Sequence, residues 1–135
     1  MDTQDRNNPI EVPASAAATG AVVRRLQDTA GVPCSCGTAY RVIRAANGSP
    51  ASVHFVDIRI DSDRHYHRTF TEIYTCLQGN GFLELDGSVV ALTPGTVVVI
   101  PPGVRHRAYP ASSDQTLRIL NTAVPPFDTT DEWLD

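Results

Sequence analysis

The sequence predicts an all-β fold, a sandwich or barrel of many short strands, and three observations carry that expectation. From Thr38 onward, apolar residues recur in short alternating runs rich in Val, Ile and Phe. Gly, Pro, Asn and Asp break these runs at the spacing of turns between neighbouring strands. Helical spacing is confined to one short stretch ahead of them. With 135 residues the chain is expected to form one domain. Surface scaling removes roughly two-thirds of the extended chain's area from water, enough for a real core.

Residues 1–18 are rich in Asn, Pro, Ser and Ala without a period, so a loose arm is expected. In residues 19–30, Val22, Val23, Leu26 and Ala30 stand at helical spacing, and Gly31-Val32-Pro33 ends that pattern; a short helix or turn is expected. Strands follow. Ala39–Ala46 stops at Asn47-Gly48-Ser49-Pro50, and Ser52–Ile60 stops at Asp61-Ser62-Asp63. Phe70–Gln78 ends at Gly79-Asn80-Gly81 and Phe82–Leu85 at Asp86-Gly87, both read as hairpin turns. Ser88–Leu92, Thr96–Ile100, Val104–Tyr109 and Thr116–Ala123 complete the series. The expected organisation is an arm over 1–37, a β-barrel over 38–123 and a tail over 124–135 that packs on the barrel or on a partner.

All eleven basic residues are arginine. Without lysine there is no Schiff base, no internal pyridoxal aldimine and no Walker A loop. Residues 1–67 carry seven basic and seven acidic groups, and 68–135 carry four and eight, so no basic patch points to nucleic acid. No apolar run approaches the roughly 20 residues of a membrane helix. The first residues lack the basic-then-apolar order of a secretory signal, so a cytoplasmic location with reduced thiols is expected. Cys34, Cys36 and Cys76 are too few for a disulfide scaffold. Cys34-Ser35-Cys36 has no second pair to complete a thiolate site and reads as small residues where a loop enters a strand.

The chemistry gathers on histidine. His65 and His67 are two residues apart, so in a strand both imidazoles face the same side. Glu72 follows at a distance suited to a bend that returns a carboxylate beside them, and His106 lies after the turn Pro101-Pro102-Gly103. Three neutral imidazoles and one carboxylate suit one divalent transition metal (Fe, Mn, Ni, Co or Zn), with one or two positions left open. His54 stands apart and reads as a surface or satisfied core histidine. No Gly-x-Ser-x-Gly elbow supports a serine hydrolase.

The spacing His65-x-His67-(x)4-Glu72-(x)6-Gly79 resembles the first cupin motif, although Arg59 stands where its opening glycine usually does. Gly95-(x)5-Pro101-x-Gly103-(x)2-His106 resembles the second, with Pro110 in place of its common asparagine. The closing residues from Val124 to Trp133 resemble the tail of small bacterial cupins. The resemblance implies a double-stranded β-helix, or jelly-roll barrel, with a metal near one mouth held by His65, His67, Glu72 and His106. It implies a metal-dependent enzyme of dioxygenase, isomerase or lyase type acting on a small polar molecule, or alternatively a non-catalytic module that binds or senses a small ligand.

Alternation from Glu72 puts Tyr74, Cys76 and Gln78 on its face until a bulge intervenes, making Tyr74 a candidate pocket wall and proton donor. Cys76 is expected to pack. Tyr66, Arg68, Arg105 and Arg107 are expected to face outward. Apolar groups in 19–37 and Pro125–Trp133 have no route to the barrel interior, so a homodimer that covers them is expected.

Overall fold

A computed structural model describes residues 11–134; the start of the expected loose arm lies outside them. In chain order the strands are β1 (Val32–Cys34), β2 (Gly37–Ile43), β3 (Ser52–Ile58), β4 (His65–Tyr66), β5 (Thr71–Gln78), β6 (Gly81–Leu85), β7 (Ser88–Leu92), β8 (Val97–Ile100), β9 (His106–Pro110), β10 (Leu117–Val124) and β11 (Trp133–Leu134). They form two antiparallel sheets, ordered β1-β2-β3-β10-β5-β8 and β11-β4-β9-β6-β7. This is the all-β fold that the strand pattern predicts, in the jelly-roll form that the motif resemblance implies.

Alternation decides which side chains meet between the sheets. Along β10, Leu117, Ile119, Asn121 and Ala123 are buried while their neighbours are half-buried or exposed. Glu72, Tyr74 and Cys76 do the same on β5. Leu83, Leu92, Ile100, Leu117 and Ile119 are buried almost completely, each worth about 1.5–3 kcal/mol when taken from water. Ile58, Tyr74 and Ile119 form the boundary between this core and a cavity that opens at the other end.

The two glycine-rich turns read alike in sequence and differ in structure. Asp86-Gly87 is the hairpin loop between β6 and β7, with both residues at positive φ (47° and 90°), as a two-residue turn of that hand requires. Gly79-Asn80-Gly81 is not a hairpin, because it carries the chain from one sheet to the other. Gly79 has φ 79°, and a Cβ there would sit 2.3 Å from the Thr116 carbonyl oxygen. The close crossing over Thr116 therefore demands glycine twice, by conformation and by space.

The start of the chain differs from expectation in two places, a helical turn within the arm and a strand ahead of residue 38, while the turn in 19–30 and the tail on the barrel stay within it. The only α-helix among the described residues is Ala14–Ala17, and residues 19–30 contribute just a 3-10 turn at Leu26–Asp28. Val22 and Val23 stay exposed, so the apolar stripe has no surface to pack on, and a helix this short does not persist without one. Strand pairing begins with β1, ahead of residue 38, where Val32–Cys34 pairs with Gly37–Ala39. The tail lies on its own barrel: Phe127 N donates to Ser52 Oγ at 2.9 Å, and β11 pairs with β4.

Gly79→Ala is expected to destabilise the protein by about 3 kcal/mol in urea unfolding, because strain and overlap combine. Gly95 also has positive φ but open space around it, so Gly95→Ala is expected to cost about 1 kcal/mol.

Candidate metal site

Three strands bring the predicted cluster together. β4 and β9 pair with His65 directly opposite His106. His67 follows β4, and its carbonyl accepts from Gly103 N at 2.7 Å, which ties the Pro101–Gly103 turn beneath it. Glu72 enters from β5 in the facing sheet. One ligand atom from each of His65, His67, Glu72 and His106 lies within 4.8 Å of all the others, and the last three residues are buried.

Backbone carbonyls orient all three rings. His65 Nδ1 lies 2.7 Å from Asp63 O, His67 Nδ1 2.7 Å from Asp131 O, and His106 Nδ1 2.8 Å from Val104 O. A carbonyl only accepts, so each Nδ1 carries the hydrogen, and the neutral ring turns the Nε2 lone pair inward. Glu72 Oε1 lies 2.8 Å from His67 Nε2 and 3.0 Å from His106 Nε2. With its Nδ1 hydrogen given to the Asp131 carbonyl, the buried His67 Nε2 is left without a hydrogen-bond partner. Asn121 Nδ2 donates to Glu72 Oε2 at 2.6 Å and fixes the carboxylate.

These donors form a set of acceptors facing one another, and a cation among them removes the conflict. A proton does so in the metal-free chain; a divalent metal suits the imidazole and carboxylate donors better. The electrostatics agree. Burial alone raises the Glu72 carboxyl, but His106 and His67 outweigh it and hold the group far below the usual carboxylate range. Burial lowers His67, yet its contact with Glu72 raises it above an ordinary histidine. His65, next to His106 and farther from compensating charge, is lowered chiefly by burial. The residues fit a metal ion.

The tail supplies support that has no local signal in the sequence. The Asp131 carboxylate accepts from Arg68 N, Thr69 N, Thr69 Oγ1 and Trp133 Nε1, while its own carbonyl holds His67. Phe70 stacks on His67 with centroids 4.2 Å apart, and Phe127 packs edge-on against both. On the outer face, as alternation predicts, the Arg68 guanidinium lies 3.7 Å over the Trp133 ring and Arg105 3.8 Å over Tyr66. Arg107 Nε donates to Glu84 Oε2 at 2.8 Å.

A cavity of about 110 Å³ opens beside the cluster. Tyr74 and Asn121 line it together with His54 and Arg41. His54 is buried, as a core histidine would be, but it faces this cavity, and burial first and Arg41 second lower it to about 4, so the ring is neutral. Arg41 was not among the expected site residues. Gln78 leaves the inner face because a bulge between Arg118 and Ile119 shifts the register. Cys76 packs in the core. Cys34 and Cys36 also line the cavity, with their Sγ atoms 3.1 Å apart. Sharing that hydrogen bond with Cys36 lowers the Cys34 thiol to about 6 and raises Cys36.

A family model described as "Cupin domain" matches residues 44–123. The structure is similar to the crystal structure of a protein from Planctomyces limnophilus at 35% identity and TM-score 0.77, covering 84% of this chain and 96% of that one. It also resembles ectoine synthase from P. lautus (18%, TM-score 0.69, covering 79% and 80%). A nucleoside dehydratase from Streptomyces shares the fold as well (15%, TM-score 0.70, covering 84% and 89%). At those last two identities the likeness is one of fold. Among curated proteins, an uncharacterised protein of Methanocaldococcus jannaschii is 33% identical over 67 residues, or 50% of this chain. The match spans about half (53%) of that relative's length.

The thiol geometry generates a measurable outcome. Cys34 is expected to react with iodoacetamide in the native protein with a half-maximal rate near pH 6, since the thiolate forms as pH rises through its lowered value. Peptide mapping is expected to find Cys76 unmodified under the same conditions, because it is buried and its thiol is raised.

Proposed function

The chain belongs to the cupin family, and on that premise we propose that it is a metal-dependent enzyme acting on a small polar organic molecule, of dioxygenase, isomerase or lyase type. The observation that carries this reading is the convergence of three inward-facing Nε2 atoms on a buried carboxylate beside a cavity of about 110 Å³. His65, His67 and His106 through Nε2, with Glu72, would hold one divalent ion from among Fe, Mn, Ni, Co and Zn. Such an ion, when bound, supplies Lewis acidity or a place for O₂.

The chain's own groups do the rest. Asn121 keeps the Glu72 carboxylate aimed at the centre, and the three carbonyls keep the rings from turning. Tyr74 lies edge-on to His106, centroids 6.0 Å apart, and its hydroxyl makes no hydrogen bond among the described residues. Burial first, and the Glu72 charge second, push the phenol well above its ordinary value, so it stays protonated at neutral pH. On this reading it donates that proton to a ligand oxygen in the cavity, whose wall it helps to form. Three free thiols support a reducing, cytoplasmic setting.

The test begins with metal analysis of protein purified without chelator or His-tag. It continues with O₂-uptake and turnover screens against small dihydroxy, diketo and thiol compounds. About one metal per chain and turnover of one class are expected. Metal without any turnover would support the binding-module alternative. Glu72→Gln is expected to lower metal affinity at least about tenfold. The metal-free melting temperature should change little, because the core is apolar and Asn121 still meets an oxygen. Collapse of the metal-free fold with unchanged metal affinity would make Glu72 a structural residue.

A homodimer belongs to the same reading. Its support is the apolar outer side of edge strand β8, where Val97 and Val99 are 59% and 60% exposed. Light scattering at micromolar concentration is expected to give twice the chain mass, falling to one chain with Val97→Asp/Val99→Asp.

A further inference from the structure

One row of side chains crosses the inner face of the six-stranded sheet. Register places Arg41 opposite His54, His54 opposite Asn121, and Asn121 opposite Tyr74. All four line the cavity that holds the metal cluster. Two atoms of this row are buried without a hydrogen-bond partner: Arg41 Nε and Asn121 Oδ1. The Arg41 guanidinium makes neither an ion pair nor a hydrogen bond among the described residues, and it stands 5.6 Å from the centroid of the Phe127 ring. Two arginines outside the cavity contrast with it. Arg118 makes a two-pronged pair with Asp57 at 2.7 and 2.9 Å, and Arg107 pairs with Glu84.

A cation with a desolvated donor and no anion is costly unless something else completes it. From this geometry we propose that Arg41 is an anion subsite of the cavity. It would bind the carboxylate of a small organic acid whose other end carries an oxygen function toward His65, His67, Glu72 and His106. The proposal rests on the metal-site reading above. Charge supports it, because a dication together with Arg41, offset by Glu72 and by the Cys34 thiolate that forms above about pH 6, leaves the cavity one positive charge in excess. His54, neutral above about pH 4, adds none. Glu132, whose carboxylate lies 3.7 Å from His65 Nε2, is 49% exposed at the rim and therefore screened by solvent. A ligand carboxylate brings the matching charge. Asn121 Oδ1 is left to accept from a ligand hydroxyl or amine. The volume limits the ligand to on the order of ten non-hydrogen atoms.

The test uses the full chain loaded with Mn²⁺, probed with succinate and with succinamate, which is alike in size and shape but lacks one charge. Isothermal titration gives the ratio of their dissociation constants. Succinate is expected to bind about 10- to 100-fold more tightly than succinamate to the wild type. That preference should fall to about threefold or less in Arg41→Gln, with an intermediate ratio in Arg41→Lys, which keeps charge but loses the planar fork. A ratio below about threefold in the wild type overturns the subsite, and so does a preference that Arg41→Gln retains. The wild-type ratio decides alone if Arg41→Gln fails to fold. Bound Mn²⁺ with no succinate preference would sink the subsite and leave the metal reading standing. Failure of the wild type to bind any metal would overturn both.

Discussion

Four acceptors pointed at one another, three of them on buried residues, are the constraint on which the rest of this structure depends. Left to themselves, three imidazole lone pairs and a carboxylate would turn apart. Each is held by something it cannot easily leave: the carbonyls of Asp63, Asp131 and Val104 grip the rings, and Asn121 grips Glu72. The grips come from two loops, the tail and the central strand β10. Placing them correctly needs the whole barrel closed, because the two sheets must meet for Glu72 to reach His67 and His106. The order of cause runs from fold to site. The apolar core of Leu83, Leu92, Ile100 and Leu117 provides the stability that lets the other end hold a polar cluster in conflict.

That division explains what was legible in the sequence. The four candidate ligands could be named because two short spacings encode them. A two-residue step keeps His65 and His67 on one side, and the turn before His106 sets its approach. Asp86-Gly87 was legible for a similar reason, since both residues tolerate the positive φ that the loop demands. Gly79-Asn80-Gly81 looked the same and was misread. What distinguishes it is the crossing over Thr116, a contact with a strand that comes much later in the chain. Local signals encode local geometry, and sheet switching is not local.

The same limit hid Asp131 and Arg41. Asp131 acts on Thr69 from 62 residues away, and nothing near it in the sequence marks it as more than a surface acid. Arg41 enters the site only through register, by way of β3 and β10 to β5. A one-residue slip in any of these pairings would turn it to the other face. Bulges make such counting unsafe, as Gln78 demonstrates on β5. The tail is a related case. Its apolar groups left the barrel and a partner's surface both open, and Trp133 and Leu134 find an edge on their own β4. An unpaired edge strand accepts whichever segment reaches it first, and a tail attached to the same chain has the entropic advantage.

The row that starts at Arg41 divides the cavity into two electrostatic ends. At one end Asn121 donates through Nδ2 to Glu72, which leaves its buried amide oxygen without a partner. At the other, Arg41 has an aromatic face but no ion-pair partner among the described residues, and cation–π attraction is weaker than an ion pair. Between them stands His54, kept neutral by burial and by Arg41 itself. A neutral spacer matters: a second cation there would compete with Arg41 for the same anion and would itself require a counter-charge. The sheet thus presents donor, neutral ring, acceptor and phenol in sequence across four paired strands, at intervals of one strand spacing, roughly 4.8 Å. Selectivity in such a site follows from strand register, and a substitution that shifts register would alter what the cavity accepts without touching any group that contacts the ligand.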